Sequence, residues 1–547
     1  MLKADSIIYG NIVTLDTDKP LAKAMVTKNG RIVYVGYKNI AEKMKGKDTT
    51  ILDYGNCYVY PGFMDAHTHG PLAGEQIDLQ INLRDQKSMQ GYIDALDKFI
   101  KKNPNRDYYL GCGWVRYEEP TASMIDKVCK DKPVILQSSD GHSLWVNSKA
   151  MEICGVDKNY AKEFGTSEVH IDEKGNPSGL LCEKAIYHVY NHFTPSRKEM
   201  KKALLAWQKF AFSQGITAVG EAMLDCRKDY IEAYDELVKE GKWKLRTYAW
   251  KLCQNLLDTP EKIGEQLKKD AEKYNSEYFK IAGLKIMLDG VVEARTAAMI
   301  DDYADEKGYK GVLNIKDPNK LKKIVLSANK EGFSVHTHAI GDKAAQMILD
   351  AYETVETTTC NFDSRNIICH LQCIKEEDIV RCGQYNIYAV VAPTWAPVVQ
   401  PYFNQTIAYL GEKRTWKNYP IASFEKAGAP ICFHTDYPVN RIMDIPLSVY
   451  TAVKRAKPHC QENGGPKSVM NPDEAISSYR SLMSLTTNIA CMFKQERNLG
   501  ILNIGKVANA TVYSEDFVDY TNVENIMNAK LIATIVDGQE VYHAKNR

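Results

Sequence analysis

The sequence predicts an α/β protein whose main domain is a (β/α)8 TIM barrel. Short apolar runs with the spacing of strands alternate with segments of helical periodicity through the middle of the chain. About eight such runs occur, which favours a closed barrel of parallel strands over an open sheet. No GxGxxG follows the first run and no Walker A motif occurs, which weakens the dinucleotide- and phosphate-binding alternatives.

The predicted barrel strands are short apolar runs, several of them bounded by glycine or proline. The first ends in HTH at His67 to His69, after a Pro-Gly turn. The others cover residues 216–223, 245–252, 283–290, 333–338, 366–370, 387–393 and 430–436.

Both ends of the chain have the pattern of antiparallel hairpins. Asn29-Gly30 and Asp537-Gly538 each lie between apolar runs, and such dipeptides are typical of two-residue hairpin turns. Since the termini of a domain often lie close together, we expect a small β-sandwich domain formed by both chain termini. The predicted domains are a sandwich half at 1–58, a barrel at 59–490 with an insertion at about 71–195, and the second sandwich half at 491–547.

Composition argues for a protein of the cytoplasm that acts on a small molecule. The 547 residues include 70 basic and 69 acidic side chains, a balance that gives no reason to expect nucleic acid or a membrane surface as partner. There is no run of 18 apolar residues and no apolar signal-peptide core. The 14 cysteines lack a CxxC pair and fit reduced thiols. A homodimer is the default expectation for the oligomeric state.

Polar residues that bind metals follow the predicted strands one after another. His67 and His69 are two residues apart and therefore point the same way on an extended strand. Six of the 12 histidines lie at such places, and barrel chemistry is located at the carboxyl ends of the strands. Imidazole and carboxylate ligands predict a divalent metal, with Zn²⁺ preferred over Fe²⁺, Mn²⁺ and Co²⁺. The candidates are His67, His69, Lys285, Asp289, His336, His338, His370, His434 and Asp436.

These motifs together resemble the amidohydrolase superfamily, and in particular its YtcJ-like (amidohydrolase-3 type) branch. The resemblance is carried by PGFMDAHTHG at 61–70, DGHSLWVNSKA at 140–150, GITAVGEA at 215–222, HAIGD at 338–342 and TDYPV at 435–439. It extends essentially from end to end. Two departures occur: His434-Thr435 precedes the last-strand aspartate where the branch often has Gly-Ser, and GKVAN, with Asn509, replaces GKxAD.

The resemblance implies a role for each ligand candidate. His67 and His69 match the metal pair of the first strand, His338 and His370 the ligands of the fifth and sixth strands, and Asp436 the last-strand aspartate. Lys285 lies where members with two metal ions carry a carboxylated lysine. Sites with one ion and with two ions therefore both stay open.

The implied activity is hydrolysis of carbon–nitrogen bonds other than peptide bonds, of the amide or N-substituted formamide type. Asp436 would act as general base toward a metal-activated water, with His370 or His142 as a donor to the developing oxyanion. A deaminase or a cyclic-amide hydrolase is an alternative on the same site. A non-catalytic binding or regulatory protein is an alternative of another class, and the intact ligand set argues against it.

Several further residues are predicted to support the site. His142 and Trp145 are predicted to line the pocket, and Arg295 to bind a substrate carboxylate through its planar guanidinium group. Residues predicted to orient the ligands are Glu183, Glu221 and Asp289. His336 and His434 each precede a predicted ligand by two residues, and they rank behind the ligands as supporting residues.

Overall fold

The computed structural model describes residues 3–139, 143–225, 229–253, 256–361, 363–399, 402–458, 469–518 and 523–545. The strands of these residues, in chain order, are β1 (Ser6–Val13), β2 (Leu21–Lys28), β3 (Arg31–Gly36), β4 (Thr50–Pro61), β5 (Phe63–Thr68), β6 (Gln80–Asn82), β7 (Tyr109–Trp114), β8 (Val134–Ser138), β9 (Ser143–Val146), β10 (Val169–Ile171), β11 (Pro177–Cys182), β12 (Ile216–Asp225), β13 (Arg246–Leu252), β14 (Phe279–Met287), β15 (Ser334–Ala339), β16 (Ile367–His370), β17 (Tyr388–Val391), β18 (Ile431–Phe433), β19 (Ala510–Tyr513), β20 (Leu531–Val536) and β21 (Gln539–His543).

The α-helices are α1 (Lys38–Glu42), α2 (Gly70–Gly74), α3 (Met89–Lys102), α4 (Ala122–Asp126), α5 (Ser148–Cys154), α6 (Lys158–Phe164), α7 (Ala185–His192), α8 (Arg197–Ser213), α9 (Tyr230–Lys239), α10 (Ile263–Lys273), α11 (Pro318–Lys330), α12 (Asp342–Thr359), α13 (Glu376–Gln384), α14 (Tyr402–Leu410), α15 (Glu412–Thr415), α16 (Ile421–Lys426), α17 (Ile445–Lys454), α18 (Ser478–Ser484) and α19 (Thr487–Met492). None of the helices in the described residues has the length and apolarity needed to cross a membrane.

Eight parallel strands form the barrel sheet, in the order β18-β17-β16-β15-β14-β13-β12-β5. Every residue of β5, β15, β16 and β17 is buried, which explains why these strands appear as continuous apolar runs in the sequence. The edges β18 and β5 approach each other through two backbone hydrogen bonds, Asp436 N to His67 O at 3.1 Å and His69 N to Tyr437 O at 2.9 Å. The predicted α/β barrel is confirmed as a nearly closed sheet of eight parallel strands.

Both ends of the chain contribute to one seven-stranded sheet, in the order β21-β20-β19-β4-β1-β2-β3. The two predicted hairpins are present, because β2 pairs antiparallel with β3 and β20 with β21. At both turns the two central residues have positive φ, 51° and 72° at Asn29-Gly30 and 53° and 74° at Asp537-Gly538. The β-sandwich that we expected of these termini stays a prediction.

Contacts within the chain separate two compact units. One comprises Met1–His69, Gln208–Arg227 and Tyr234–Arg547, and it holds the barrel sheet and the terminal sheet. The other comprises Gly70–Trp207 and Lys228–Ala233, and it contains a six-stranded sheet in the order β10-β11-β9-β8-β7-β6. The predicted domain boundaries, including the insertion at about 71–195, stay predictions.

Candidate metal centre and active site

The carboxyl ends of β5 and β18 bring two histidines and one aspartate together. Oδ1 of Asp436 lies 3.2 Å from Nε2 of His67 and 3.1 Å from Nε2 of His69. His67 and Asp436 are buried, and the His69 side chain is 12% exposed. The donor atoms of the three residues all lie within 4.8 Å of one another.

Asp65 joins the two strands that carry these ligands. Its carboxylate accepts hydrogen bonds from the Thr435 hydroxyl at 2.5 Å, the Thr435 amide at 3.2 Å and the His67 amide at 3.0 Å. Each donor is adjacent to or part of a predicted metal ligand. Asp65 therefore holds His67 and Asp436 in register across the junction between β5 and β18, a role that the sequence analysis missed.

The backbone directs two of the predicted ligands by unusual torsion angles. His370, the last residue of β16, has a φ of 79°, and Asp436 has a φ of 60°. L-residues rarely adopt this left-handed region, and where they do the surrounding structure must enforce it. The backbone at His370 and at Asp436 therefore directs each side chain differently from the way that a regular strand would.

His338 and His370 extend the cluster toward β15 and β16. Their ring centroids are 4.6 Å apart, and the His370 ring is 5.0 Å from that of His67. Nε2 of His338 lies 3.0 Å from the Gly290 carbonyl oxygen and 3.5 Å from Oδ1 of Asp289. The predicted ligands of four strands are therefore neighbours in space.

Asp289 supports the loops around His338. Its two oxygens accept hydrogen bonds from the amides of Ala298, Ile340 and Gly341 at 2.8–3.0 Å. Burial raises the pKa of Asp289 to about 7. These contacts fit the predicted orienting role, although that role itself stays a prediction.

Lys285 is buried on β14, and its Nζ lies 3.6 Å from Sγ of Cys369. Cys369 forms a second group of candidate metal donors with His67 and His336, again within 4.8 Å. The sequence analysis treated this cysteine only as one of the 14 reduced thiols. A metal-binding or carboxylated Lys285 stays a prediction.

Two histidines that we ranked behind the ligands lie in the same cluster. Nε2 of His336 is 2.9 Å from Nδ1 of His67, a hydrogen bond that leaves Nε2 of His67 directed at Asp436. The His434 ring lies 5.2 Å from that of His67. Trp395 stacks on His370, with ring centroids 5.4 Å apart and planes inclined by 11°.

Electrostatics favour the protonation states that bind metals. Burial lowers the pKa of His338 to about 4, and it holds the pKa of His67 and of His370 well below the ordinary value for histidine. Burial opposes ionisation of Asp436, but the hydrogen bond from His69 and the neighbouring imidazoles lower its pKa on balance. Neutral imidazoles and an ionised carboxylate are the forms that coordinate a metal ion.

The side chains present fit a divalent metal ion. Within the described residues, Nδ1 of His370 and both ring nitrogens of His434 are buried without a hydrogen-bond partner. Each such atom costs about 1–3 kcal/mol if it stays unsatisfied. Nitrogen and carboxylate donors as close as those of His67, His69 and Asp436 are the ligand set of zinc sites and of related divalent metals.

The other predicted residues are placed as follows. Arg295, partly exposed after β14, pairs with Asp305 at 3.3 Å and Glu306 at 2.5 Å. Glu221 is buried on β12. Their predicted roles stay predictions.

Trp145 and Glu183 belong to the compact unit that comprises Gly70–Trp207 and Lys228–Ala233. His142 lies outside the described residues. Trp145 is buried in that unit, where its indole N–H donates to the Thr121 carbonyl at 2.8 Å. Glu183 is exposed just after β11. Trp145 thus has the surroundings of a core residue, and its role in substrate binding stays a prediction, as does the orienting role of Glu183.

Comparison with known proteins identifies the family of this chain. The model of the family described as "Amidohydrolase family" matches residues 50–542. The chain is 29% identical to Protein LONG AFTER FAR-RED 3 of Arabidopsis thaliana, over 98% of this chain and 91% of that protein. It is 27% identical to the putative amidohydrolase YtcJ of Bacillus subtilis, over 97% and 98% of the two chains.

Two further similarities are informative. The chain is 24% identical to the N-substituted formamide deformylase of Arthrobacter pascens, over 97% of each chain. Its fold matches an uncharacterized metal-dependent hydrolase of Pyrococcus furiosus, with a TM-score of 0.76, 23% identity and coverage of 94% of this chain and 100% of the other. The predicted resemblance is thereby confirmed: the chain belongs to the amidohydrolase family, and it is a hydrolase that acts on carbon–nitrogen bonds.

Proposed function

We propose that this enzyme hydrolyses a linear amide or an N-substituted formamide to a carboxylic acid and an amine. The observation that carries the proposal is the position of Asp436, whose carboxylate lies within 3.2 Å of two imidazoles at the barrel mouth. A relative of similar length is named for formamide deformylation, which supports this class of substrate.

The ligands of the proposed metal centre are His67, His69 and Asp436, joined by His338, His370 and Lys285. When bound, a divalent metal polarises the substrate carbonyl and lowers the pKa of water toward neutrality. The cluster is buried, and this strengthens every electrostatic interaction inside it. Trp395 packs against His370 and restricts the orientation of its ring.

Asp436 and His370 divide the proton transfers and charge stabilisation between them. Asp436 is ionised and accepts the proton of the attacking water, and it returns that proton to the leaving nitrogen. His370 serves either as a ligand of the ion or as a donor to the substrate, and in the second role Nδ1, which has no partner among the described residues, donates a hydrogen bond to the carbonyl oxygen as negative charge develops there. The carbon–nitrogen bond breaks as the nitrogen is protonated.

The experiment measures hydrolysis by the zinc-reconstituted protein against four groups of compounds: N-substituted formamides, linear amides, cyclic amides and amino-substituted heterocycles. We expect formate or another carboxylate and an amine from the first two groups. Asp436→Asn should lower kcat/KM by about 10²–10⁴. Asp317→Asn is the matched control, because Asp317 caps the exposed start of α11 and asparagine caps equally well.

The outcomes separate the proposal from its alternatives. Ammonia released from a heterocycle would identify a deaminase, and ring opening would identify a cyclic-amide hydrolase. A zinc-loaded protein without any Asp436-dependent turnover would contradict catalysis altogether and favour a binding protein. The cytoplasmic location and the homodimer remain predictions from the sequence.

A further inference from the structure

His434 lies directly after β18, and its ring packs among the other aromatic side chains of the site. Its centroid is 5.2 Å from that of His67 and 5.1 Å from that of His370, and Trp395 packs against it edge-on at 5.5 Å. The backbone amide of His434 donates to the Val391 carbonyl at 3.1 Å, which fixes where the side chain leaves the strand. The ring is therefore held among the residues of the candidate active site.

Both ring nitrogens of His434 are buried and lack a hydrogen-bond partner among the described residues. The residue is 2% exposed, and it is the only histidine in the described part of the chain for which this holds at Nδ1 and at Nε2 alike. Because burial disfavours the charged form, the imidazole is neutral and offers one donor and one acceptor. Buried polar atoms in native structures are nearly always paired, so this ring indicates a partner that the described residues do not supply.

The candidate metal donors lie closer to one another than to His434. Two groups have donor atoms within 4.8 Å of one another in the described residues: His67, His336 and Cys369, and His67, His69 and Asp436. His434 belongs to neither group. An ion held by either group has its donors without His434, so the nitrogens of this ring are open to another partner.

The substrate is the partner that the site itself provides. Asp436 and His370, which the proposed reaction brings to the scissile bond, are 5% and 3% exposed, so they are about as buried as His434. A substrate that contacts His370 comes within reach of the His434 ring, whose centroid is 5.1 Å away. An amide is several atoms long, so its polar groups contact separate residues, whereas a single ion requires donor atoms that converge on one point.

Amide chemistry identifies the group of the substrate that His434 can bind. The carbonyl oxygen is an acceptor, and in the proposed function it is polarised by the metal ion. An amide or formamide with one substituent on nitrogen has one further polar group, its N–H donor. The unprotonated ring nitrogen of a neutral imidazole is an acceptor that matches this donor. A substrate with two substituents on nitrogen has no N–H and would leave the ring nitrogen unpaired.

We propose that His434 is a specificity-determining residue that accepts a hydrogen bond from the N–H group of the scissile amide. The enzyme would then select N-monosubstituted formamides or amides over N,N-disubstituted ones. The inference rests on the proposed function, because it assigns the substrate class of that same site. A site that pairs a buried group with a substrate N–H rejects the analogue that lacks it, since the buried group is then left unpaired.

The test compares kcat/KM of the zinc-reconstituted protein for pairs of substrates that differ by one N-methyl group, such as N-butylformamide and N-butyl-N-methylformamide. His434→Phe and His434→Leu fill the space with an apolar side chain and remove the acceptor. His434→Gln retains a carbonyl acceptor and is the conservative variant. Phe433→Leu is the matched control, because it alters the neighbouring buried residue on β18 and removes no polar group.

We expect the wild-type protein to favour the N-monosubstituted member of each pair by at least about 10²-fold. His434→Phe and His434→Leu should lower kcat/KM for that member by about 10–100-fold and leave the value for the N,N-disubstituted member nearly unchanged. His434→Gln should recover part of the preference, and Phe433→Leu should match the wild type. The loss of preference in two variants of different shape separates the missing acceptor from a change in packing.

Chelator competition on the same proteins gives the dissociation constant for Zn²⁺, which should be the same in the His434 variants as in the wild type. Equal losses of kcat/KM for both members of each pair, or weaker zinc binding by the His434 variants, would overturn the inference. The proposed function would still stand if the wild-type protein hydrolyses these compounds and Asp436→Asn does not. If the wild-type protein hydrolyses no amide and no formamide, the inference and the proposed function fail together.

Discussion

The hydrogen bonds between Asp65 and Thr435 give a sharp test of how the metal ligands are held. Thr435→Val keeps the volume of the side chain but removes its hydroxyl. That hydroxyl donates to Oδ2 of Asp65 at 2.5 Å and accepts from the Tyr437 amide at 3.2 Å. The amide of Thr435 still reaches Asp65, so only two hydrogen bonds are lost.

The magnitude follows from the chemistry of those two bonds. Burial raises the pKa of Asp65 to about 7, so above that pH the bond to its carboxylate is charge-assisted and contributes about 1.5–3 kcal/mol, and the backbone bond contributes about 0.5–1.5 kcal/mol. We therefore expect Thr435→Val to destabilise the protein by about 2–4 kcal/mol. Because the same contacts hold His67 and Asp436, zinc affinity should also fall by about 10–100-fold.

Two measurements check this prediction against a matched variant. Chelator competition gives the zinc dissociation constant, and thermal unfolding of the metal-free protein gives the relative stability. Thr435→Ser retains the hydroxyl and should stay close to the wild type in both. If Thr435→Val and Thr435→Ser bind zinc equally well, the hydrogen bonds at this junction do not position the ligands and the reasoning is wrong.

Further predictions concern the metal, one buried histidine and one buried carboxyl group. Removal of metal by a chelator should abolish hydrolysis and lower the unfolding temperature, and added zinc should restore both; activity that survives in metal-free protein would contradict the metal centre. His336→Phe removes the partner of Nδ1 of His67 and should weaken zinc binding by about 10–100-fold in the competition assay, whereas an unchanged constant would mean that this bond does not orient His67. Glu356 is 1% exposed, Oε2 lacks a partner in the described residues, and burial raises its pKa to about 7 from 4.5. Since the folded state holds the proton of Glu356 more tightly, the contribution of this group to stability is largest below about pH 4.5 and is lost by about pH 7. Glu356→Gln should therefore reduce the loss of stability between pH 5 and pH 8 and stabilise the protein at pH 8 by up to about 3 kcal/mol relative to the wild type, as judged by urea unfolding at both pH values.

The secondary structure of the barrel could be predicted well because its signals are local. Each predicted strand coincides with one of the eight strands of the sheet, with small differences at the ends. For example, the run predicted at 283–290 is the strand Phe279–Met287, so Asp289 lies in the following loop. The hairpin dipeptides at both termini were equally reliable, since positive φ at adjacent residues restricts their composition.

The contacts within the site were much harder to predict from the sequence. The hydrogen bond between His67 and His336 joins residues 269 positions apart, and that between Asp65 and Thr435 spans 370 positions. Sequence spacing indicates the face of a strand on which a side chain lies, but it does not indicate which ring nitrogens meet. Nothing in the sequence distinguished Asp65 or Cys369 from an ordinary buried residue, so their contacts in the site were not predicted.

By itself, the sequence determined that imidazoles and carboxylates stand at the ends of parallel strands, because the strand period and the βα alternation are properties of neighbouring residues. Only the tertiary structure decided how those groups combine. Closure of β18 on β5 brings Asp436 to the HxH pair, and the left-handed backbone of His370 and Asp436 sets their directions. At a single residue other than glycine, such torsion angles persist only where the surrounding packing supports them, which is why the geometry of the site required the folded chain.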